Sequence, residues 1–343
     1  MASLHRRHLL IGAGALALGA CNEGVPTIAT ARTPAMDMER LNREVSAIAT
    51  RVKPGVLGVG LMNLDSGEIF VFNGDRPMPL QSVFKAPLGA AVLAEVDAGR
   101  MSLDDPFLLA PMDLSPPWSP VADAWPVRRD YTTRELLVAA VARSDNTAAD
   151  VLMAKIGGPG AVTAWLTGKR IEAMRIDRYE RELQTEMVGL APFRPAWKGD
   201  AAFQAALATV PLAQQRQAMT RYLRDPRDTA TSRGVLEFLE HLNAGELLSK
   251  ASSRLLLEIM TSSPTGAGRI KAGLPQGSAV AHKTGTGPTN QGVTSAINDA
   301  GIVTLPDKRR YSMSVFLAGA TLSPQACDAT IAEVTRALVR GVR

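Results

Sequence analysis

The stretch Val56-Leu57-Gly58-Val59-Gly60-Leu61-Met62-Asn63-Leu64-Asp65-Ser66-Gly67-Glu68-Ile69-Phe70-Val71-Phe72 decides the fold class. Two β-rich runs, 56–64 and 68–72, flank the polar turn Asp65-Ser66-Gly67, so the segment reads as an antiparallel hairpin. Its counterpart lies at the other end of the chain. Residues 279–283, 295–304 and 311–318 carry the same strand character, and Pro306-Asp307 marks a turn between the last two. Around these runs the helical period takes over. Residues 38–52 place Leu41, Val45 and Ile48 on one face before Pro54-Gly55 stops them, and a closing helix starts at Ser323 and runs through Val339. Between 82 and about 260 the apolar spacing is mostly helical. Strands at both ends with helices between them predict an α+β protein. Its antiparallel five-stranded sheet is built from both chain ends and flanked by helices, with an all-helical subdomain inserted at about 82–260.

The first residues predict export. His5, Arg6, Arg7 and His8 precede an apolar run from Leu9 to Leu18, too short to span a bilayer, so residues 1–20 read as a signal peptide. Arg6-Arg7 gives it twin-arginine character, and Leu18-Gly19-Ala20-Cys21 resembles a bacterial lipobox. The expected location is the periplasm, with membrane attachment through a lipid on Cys21. Residues 21–36 are small, polar and proline-containing, as a linker is, and 37–343 form the folded domain, long enough for a sizeable core. With Cys21 lipidated or removed, Cys327 has no intramolecular partner among the two cysteines of the chain. The net charge of +5 comes from scattered arginines without an interleaved aromatic stripe, which speaks against a nucleic-acid partner. No run after residue 21 is long enough to cross a membrane.

Four islands carry chemistry. Ser82-Val83-Phe84-Lys85 opens the longest apolar helix, running to about Ala98. Three residues are nearly one turn, so the lysine shares a face with the serine and is placed to accept its proton. Unpaired backbone N–H groups at a helix start suit a developing oxyanion. Ser144-Asp145-Asn146 interrupts helical sequence. Thr132 with Glu135 forms a capping box for a helix through Val141, and Asn146 is placed to cap the next, which ends at Gly157. Here the Ser144 hydroxyl would sit between nucleophile and leaving nitrogen, and the Asn146 amide would hold a substrate side chain. Lys283-Thr284-Gly285-Thr286-Gly287 closes a strand. Lys283 supplies positive field for a substrate carboxylate, and Thr284 and Thr286 supply hydroxyls. The fourth island is Glu180, within Arg178-Tyr179-Glu180-Arg181-Glu182-Leu183. Each island alone also fits ordinary structure: a capped helix, a helical corner, a glycine turn, a solvated loop charge.

In combination and in this order they resemble the class A serine β-lactamases, over most of residues 40–340. Ile156-Gly157-Gly158-Pro159, Arg227-Asp228-Thr229 and Gly245-Glu246-Leu247-Leu248 look like further family segments. The resemblance implies a small β-lactam substrate, no cofactor, no metal and a monomer. It makes Ser82 the nucleophile and lets Lys85 share the acylation-base role with Glu180 acting through water. Ser144 becomes the proton relay to the leaving nitrogen, and the backbone N–H groups of Ser82 and Thr286 become the oxyanion hole. Trp118 becomes an aromatic wall at the mouth, its plainer role being packing beside a proline-rich loop. Arg178 and Asp228 match the ion pair that closes the family's omega loop.

Glu180 separates three functions. A β-lactamase needs it to activate the deacylating water. A D,D-peptidase or transpeptidase shares Ser82, Lys85, Ser144 and Lys283 without that need, and a penicillin-binding sensor stays acylated. The chain departs from the family's pattern at three places. Gln184 stands where an asparagine is usual. Roughly thirty-five residues are inserted, at about 185–225, beyond ordinary loop length. Helical spacing there predicts an added surface helix pair in preference to a lid. The strand after Lys283 also lacks the family's frequent arginine, for which Arg269 resembles a substitute, equally readable as a surface arginine.

Overall fold

The computed structural model describes residues 36–115 and 117–342. The expectations for residues 1–35 (export signal, Cys21 and nearly all of the linker) lie outside the described residues. The hairpin is present as β1 (Val56–Asn63) and β2 (Ile69–Phe72), and the late strands are β3 (Ala279–Thr286), β4 (Val293–Thr304) and β5 (Arg310–Ala320). They run in the order β2-β1-β5-β4-β3, with every neighbour antiparallel. A sixth, two-residue strand, Thr289–Asn290, adds to the five expected by folding back onto the start of β4.

Each face of the sheet carries its own apolar core, because alternate side chains of a strand point to opposite sides. On one face, helix α1 (Met38–Arg51) and the closing helix Pro324–Gly341 cover Leu57, Val315, Ile297 and Val303. On the other, Ala300 and Phe316 belong to the core of the helical region, with Phe84, Leu88, Leu137 and Leu152. Helix α2 (Lys85–Asp97) runs through that region and is buried along most of its length. Helices α3 (Thr133–Val141) and α4 (Asn146–Lys155) pack beside it.

Two local details differ from expectation. The serine lies outside α2, in a 3₁₀ turn over Gln81–Phe84. Pro87 supplies the reason. A helix starting at Ser82 would need its missing N–H, whereas one starting at Lys85 puts the proline in the first turn, where no bond is lost. The cap of α4 is Asp145, whose carboxylate accepts from Ala148 N; Asn146 is the first helical residue, and its amide is used elsewhere. The capping box of Thr132 and Glu135 is as expected.

Glu180 opens α5 (Glu180–Val188), and the inserted region that follows forms α6 (Asp200–Ala208) and α7 (Leu212–Tyr222). Pro211 stands at the start of α7 and separates the two helices of the expected pair. Leu183, Met187, Val188, Phe203, Met219 and Tyr222 form a separate small core there.

Candidate active site

The serine turn lies against the edge of the sheet, and the sequence of β3 is shaped by that approach. A Cβ at Gly285 would meet Leu80 O at 2.7 Å, and one at Gly287 would meet Ser295 Oγ at 2.1 Å and the Gln81 amide at 3.0 Å. The glycines of Lys283-Thr284-Gly285-Thr286-Gly287 therefore exist to let turn and strand touch. Asn298 on β4 clips the two together, its Nδ2 donating to Pro79 O at 2.7 Å and Leu80 O at 3.1 Å.

Lys85 is the hub. Its side chain is fully buried, and Nζ donates to Ser82 Oγ at 3.1 Å, Ser144 O at 2.8 Å and Asn146 Oδ1 at 2.5 Å. It also pairs with Glu180 Oε1 at 2.9 Å, and the Ser82 hydroxyl lies 3.4 Å from that same oxygen. The 3₁₀ geometry places residues three apart almost directly over one another, which brings the ammonium to the hydroxyl. Glu180 Oε2 accepts from Gln184 Nε2 at 2.8 Å, so the longer amide holds the carboxylate from one turn further along α5. Glu182, the other family-pattern carboxylate, is exposed and accepts from Tyr179 N.

The position of Glu180 is set by a residue that sequence reasoning missed. Asp150 on α4 accepts from Glu180 N at 2.7 Å, Arg181 N at 3.1 Å and Ser115 Oγ at 2.6 Å. Burial pushes its carboxyl above the usual range, with Arg181 opposing. A negative charge beneath the first N–H groups of α5 complements the helix end. An aspartate within helical sequence gives no such signal before α4 and α5 meet.

The second lysine closes the other side. Lys283 Nζ donates to Ser144 Oγ at 2.9 Å and Thr284 O at 2.8 Å. Burial, and then the charge of Lys85, lower its pKa well below 10.5. Thr284 Oγ1 lies 2.8 Å from Thr265 Oγ1. Arg269 is neither free nor at the surface. It is 6% exposed and spends Nε on Asp328 and Nη1 on Gly285 O and Asn298 O, while Nη2 donates to Thr286 Oγ1 at 2.7 Å. Asn146 Nδ2 donates to Pro117 O at 2.6 Å, so this amide bridges Lys85 and the loop before Trp118.

A cavity of about 310 Å³ opens over these groups, lined by Ser82, Ser144, Asn146, Thr284, Thr286 and Arg269. Gln184 and Trp118 also line it. Trp118 is 56% exposed, its indole N–H held by Arg143 O, so it is a wall more than a packing residue. Gln81, Trp118, Ser144 and Asp228 all hold positive φ, a conformation that costs non-glycine residues energy and collects at functional sites. Arg178 Nε meets Asp228 Oδ2 at 2.6 Å, across fifty residues of sequence. Among the described residues, no group of His, Cys, Asp and Glu could hold a metal ion.

A sheet edge that holds a serine against a buried lysine–carboxylate pair has the hydroxyl-beside-base arrangement that nucleophilic catalysis requires. A family model described as the β-lactamase enzyme family matches residues 40–342. The chain belongs to that family, among its class A members, and is thereby a β-lactam hydrolase. Among its relatives, β-lactamase VEB-1 of Pseudomonas aeruginosa is 29% identical over 287 residues, 83% of this chain and 85% of that protein. The carbapenem-hydrolyzing β-lactamase KPC of Klebsiella oxytoca is 29% identical over 288 residues, 84% of each. Among solved structures, an ancestral class A β-lactamase (GNCA) superposes with a TM-score of 0.71 at 33% identity, over 88% of this chain and 99% of that one. A β-lactamase from Chitinophaga pinensis gives 0.72 at 32%, over 87% and 97%.

Proposed function

We propose that the chain opens β-lactams through an acyl-enzyme on Ser82, which a Glu180-activated water then releases. The observation that carries this reading is one carboxylate oxygen, Glu180 Oε1, within 2.9 Å of Lys85 Nζ and 3.4 Å of the Ser82 hydroxyl. In acylation, Ser82 Oγ attacks the lactam carbonyl and its proton passes to the Lys85–Glu180 pair. The ring C–N bond breaks, and the nitrogen takes a proton from Ser144 Oγ, which recovers one from the Lys85–Glu180 pair; Ser144 faces the cleft beside Lys283. In deacylation, water attacks the ester carbon and Glu180 takes the water's proton; as the ester C–O bond breaks, that proton passes through Lys85 to Ser82 Oγ, which leaves Glu180 ionised again. Lys283, Thr284 and Thr286 receive the substrate carboxylate, with Arg269 orienting Thr286. Asn146 faces the acyl-amide side chain, and Trp118 borders it.

Mass spectrometry of the purified protein mixed with a penicillin tests this reading. A transient adduct on Ser82, then free enzyme and opened product, is the expected course. A permanent adduct would support the peptidase or sensor alternative and reject fast hydrolysis.

Lys283 adds a pH signature. Its charge is present below its lowered pKa and lost as pH rises through it, so attraction for a substrate carboxylate fades on the alkaline side. kcat/KM for a carboxylate-bearing β-lactam is expected to fall along a limb that begins below 10.5. Lys283→Arg, which stays protonated, is expected to move that limb upward; an unmoved limb would assign the titration to another group.

A further inference from the structure

The insertion does not behave as a decoration, because its side chains reach several walls of the cleft. Trp118 N donates to Asp200 Oδ1 at 3.3 Å, and Lys198 Nζ donates to Trp125 O at 2.5 Å, so the start of α6 and the residues just before it hold the loop that carries the aromatic wall. Arg216 Nη1 donates to Gln291 Oε1, and Gln291 Nε2 donates to Leu212 O at 3.0 Å, which ties α7 to the turn between β3 and β4. Helix α7 also packs along α5, the helix that Glu180 begins.

Its deepest contact lies under the nucleophile. Tyr222, the last residue of α7, is 5% exposed, and its hydroxyl accepts a hydrogen bond from Gln81 Nε2. The Gln81 amide lies 3.4 Å from Met187 Sδ of α5 and flush against Gly287. Gln81 is itself 2% exposed and held at φ 47° immediately before Ser82. One buried amide is thus clamped between the insertion, the Glu180 helix and the strand end after Thr286. A strained backbone persists only where its surroundings over-determine it, and here the insertion supplies part of that constraint.

We propose that Tyr222 is a positioning residue for catalysis: through the Gln81 amide it holds the Ser82 turn against the Thr286-Gly287 strand end, so that the two backbone N–H groups at Ser82 and Thr286 converge on the reacting carbonyl. This rests on the acyl-enzyme reading given above. Removing one oxyanion donor outright typically costs about 10²–10³ in rate. Loosening the support of two donors without removing either is expected to cost about tenfold.

The test uses the Glu180→Gln enzyme as a parent that retains its adduct, with and without Tyr222→Phe. Acylation by a penicillin is followed by stopped flow, and the ester carbonyl of the adduct by infrared difference spectroscopy. Hydrogen-bond donors that converge on a carbonyl lower its stretching frequency. Tyr222→Phe is expected to slow acylation about tenfold and to shift the band to higher frequency. An adduct that forms at the parental rate with an unshifted band overturns the positioning role. No adduct in the parent itself removes the acyl-enzyme reading, and this inference with it. Should Tyr222→Phe not fold, Gln81→Met cuts the same contact from the other side and carries the same two readings.

Discussion

Glu180→Gln is expected to turn the enzyme into a trap: a penicillin adduct forms on Ser82 and stays. The substitution keeps size and shape. The amide oxygen still faces Lys85, and Gln184 still reaches the same side chain, so the cleft keeps its form. What disappears is the base. A positioned general base contributes roughly 10²–10⁴-fold, and that factor is expected to be lost from deacylation. Acylation is expected to suffer less, because Lys85, the other member of the proposed proton-accepting pair, remains 3.1 Å from Ser82 Oγ. The adduct mass, followed over minutes, separates the two steps. Unimpaired turnover in the variant would reject Glu180 as the deacylation base.

Arg178→Ala is expected to produce the largest loss of stability. The guanidinium is 5% exposed and reaches Asp228 at 2.6 Å, Glu186 at 2.7 Å and Asp225 at 3.3 Å. Removing it leaves Asp228, also buried, without its cation. Breaking a buried ion pair from one side costs about 3–5 kcal/mol. For a domain of this length, at about 2.1 cal/mol/K of unfolding entropy per residue, that corresponds to a fall in Tm of roughly 5–8 °C. Asp228 Oδ1 also accepts from the backbone N–H groups of Asp177 and Arg178, so the segment leading to Glu180 loosens with it. Deacylation is therefore expected to fall more than acylation. Removing both partners, in Arg178→Ala/Asp228→Ala, is expected to recover part of the loss, since no buried charge is then left alone. A single variant that melts within about 1 °C of the parent would show that the pair behaves as a surface one.

Much of the frame is legible in residue order because it rests on local rules. β-rich runs and turn residues locate the hairpin and the late strands; a 3.6-residue period locates the terminal helices; a capping box starts α3. The site motifs sit where those elements place them, and the pairing of Arg178 with Asp228 is visible through the family's pattern. Where local reading went astray, a neighbour in space had intervened. Pro87 moved the helix start past Ser82. Asn146 reads as a cap, but Lys85 and Pro117 hold its amide. Arg269 reads in sequence as a substitute carboxylate-binding arginine or a surface one, yet Gly285 of β3, Asn298 of β4 and Asp328 use most of its donors.

By itself the sequence determined an α+β protein with its sheet made from both chain ends, and the serine, lysine and carboxylate types that its chemistry needs. Those properties depend on neighbours within one turn or one hairpin. Only the tertiary structure decided which groups meet: Ser82 with Glu180 across 98 residues, Ser144 with Lys283 across 139, Gln81 with Tyr222 across 141. Such contacts leave no periodic trace, because they arise from the packing of whole elements. For the same reason the insertion, which reads in sequence as an added surface pair, shows its reach toward the cleft only where Tyr222 meets Gln81, the residue before Ser82.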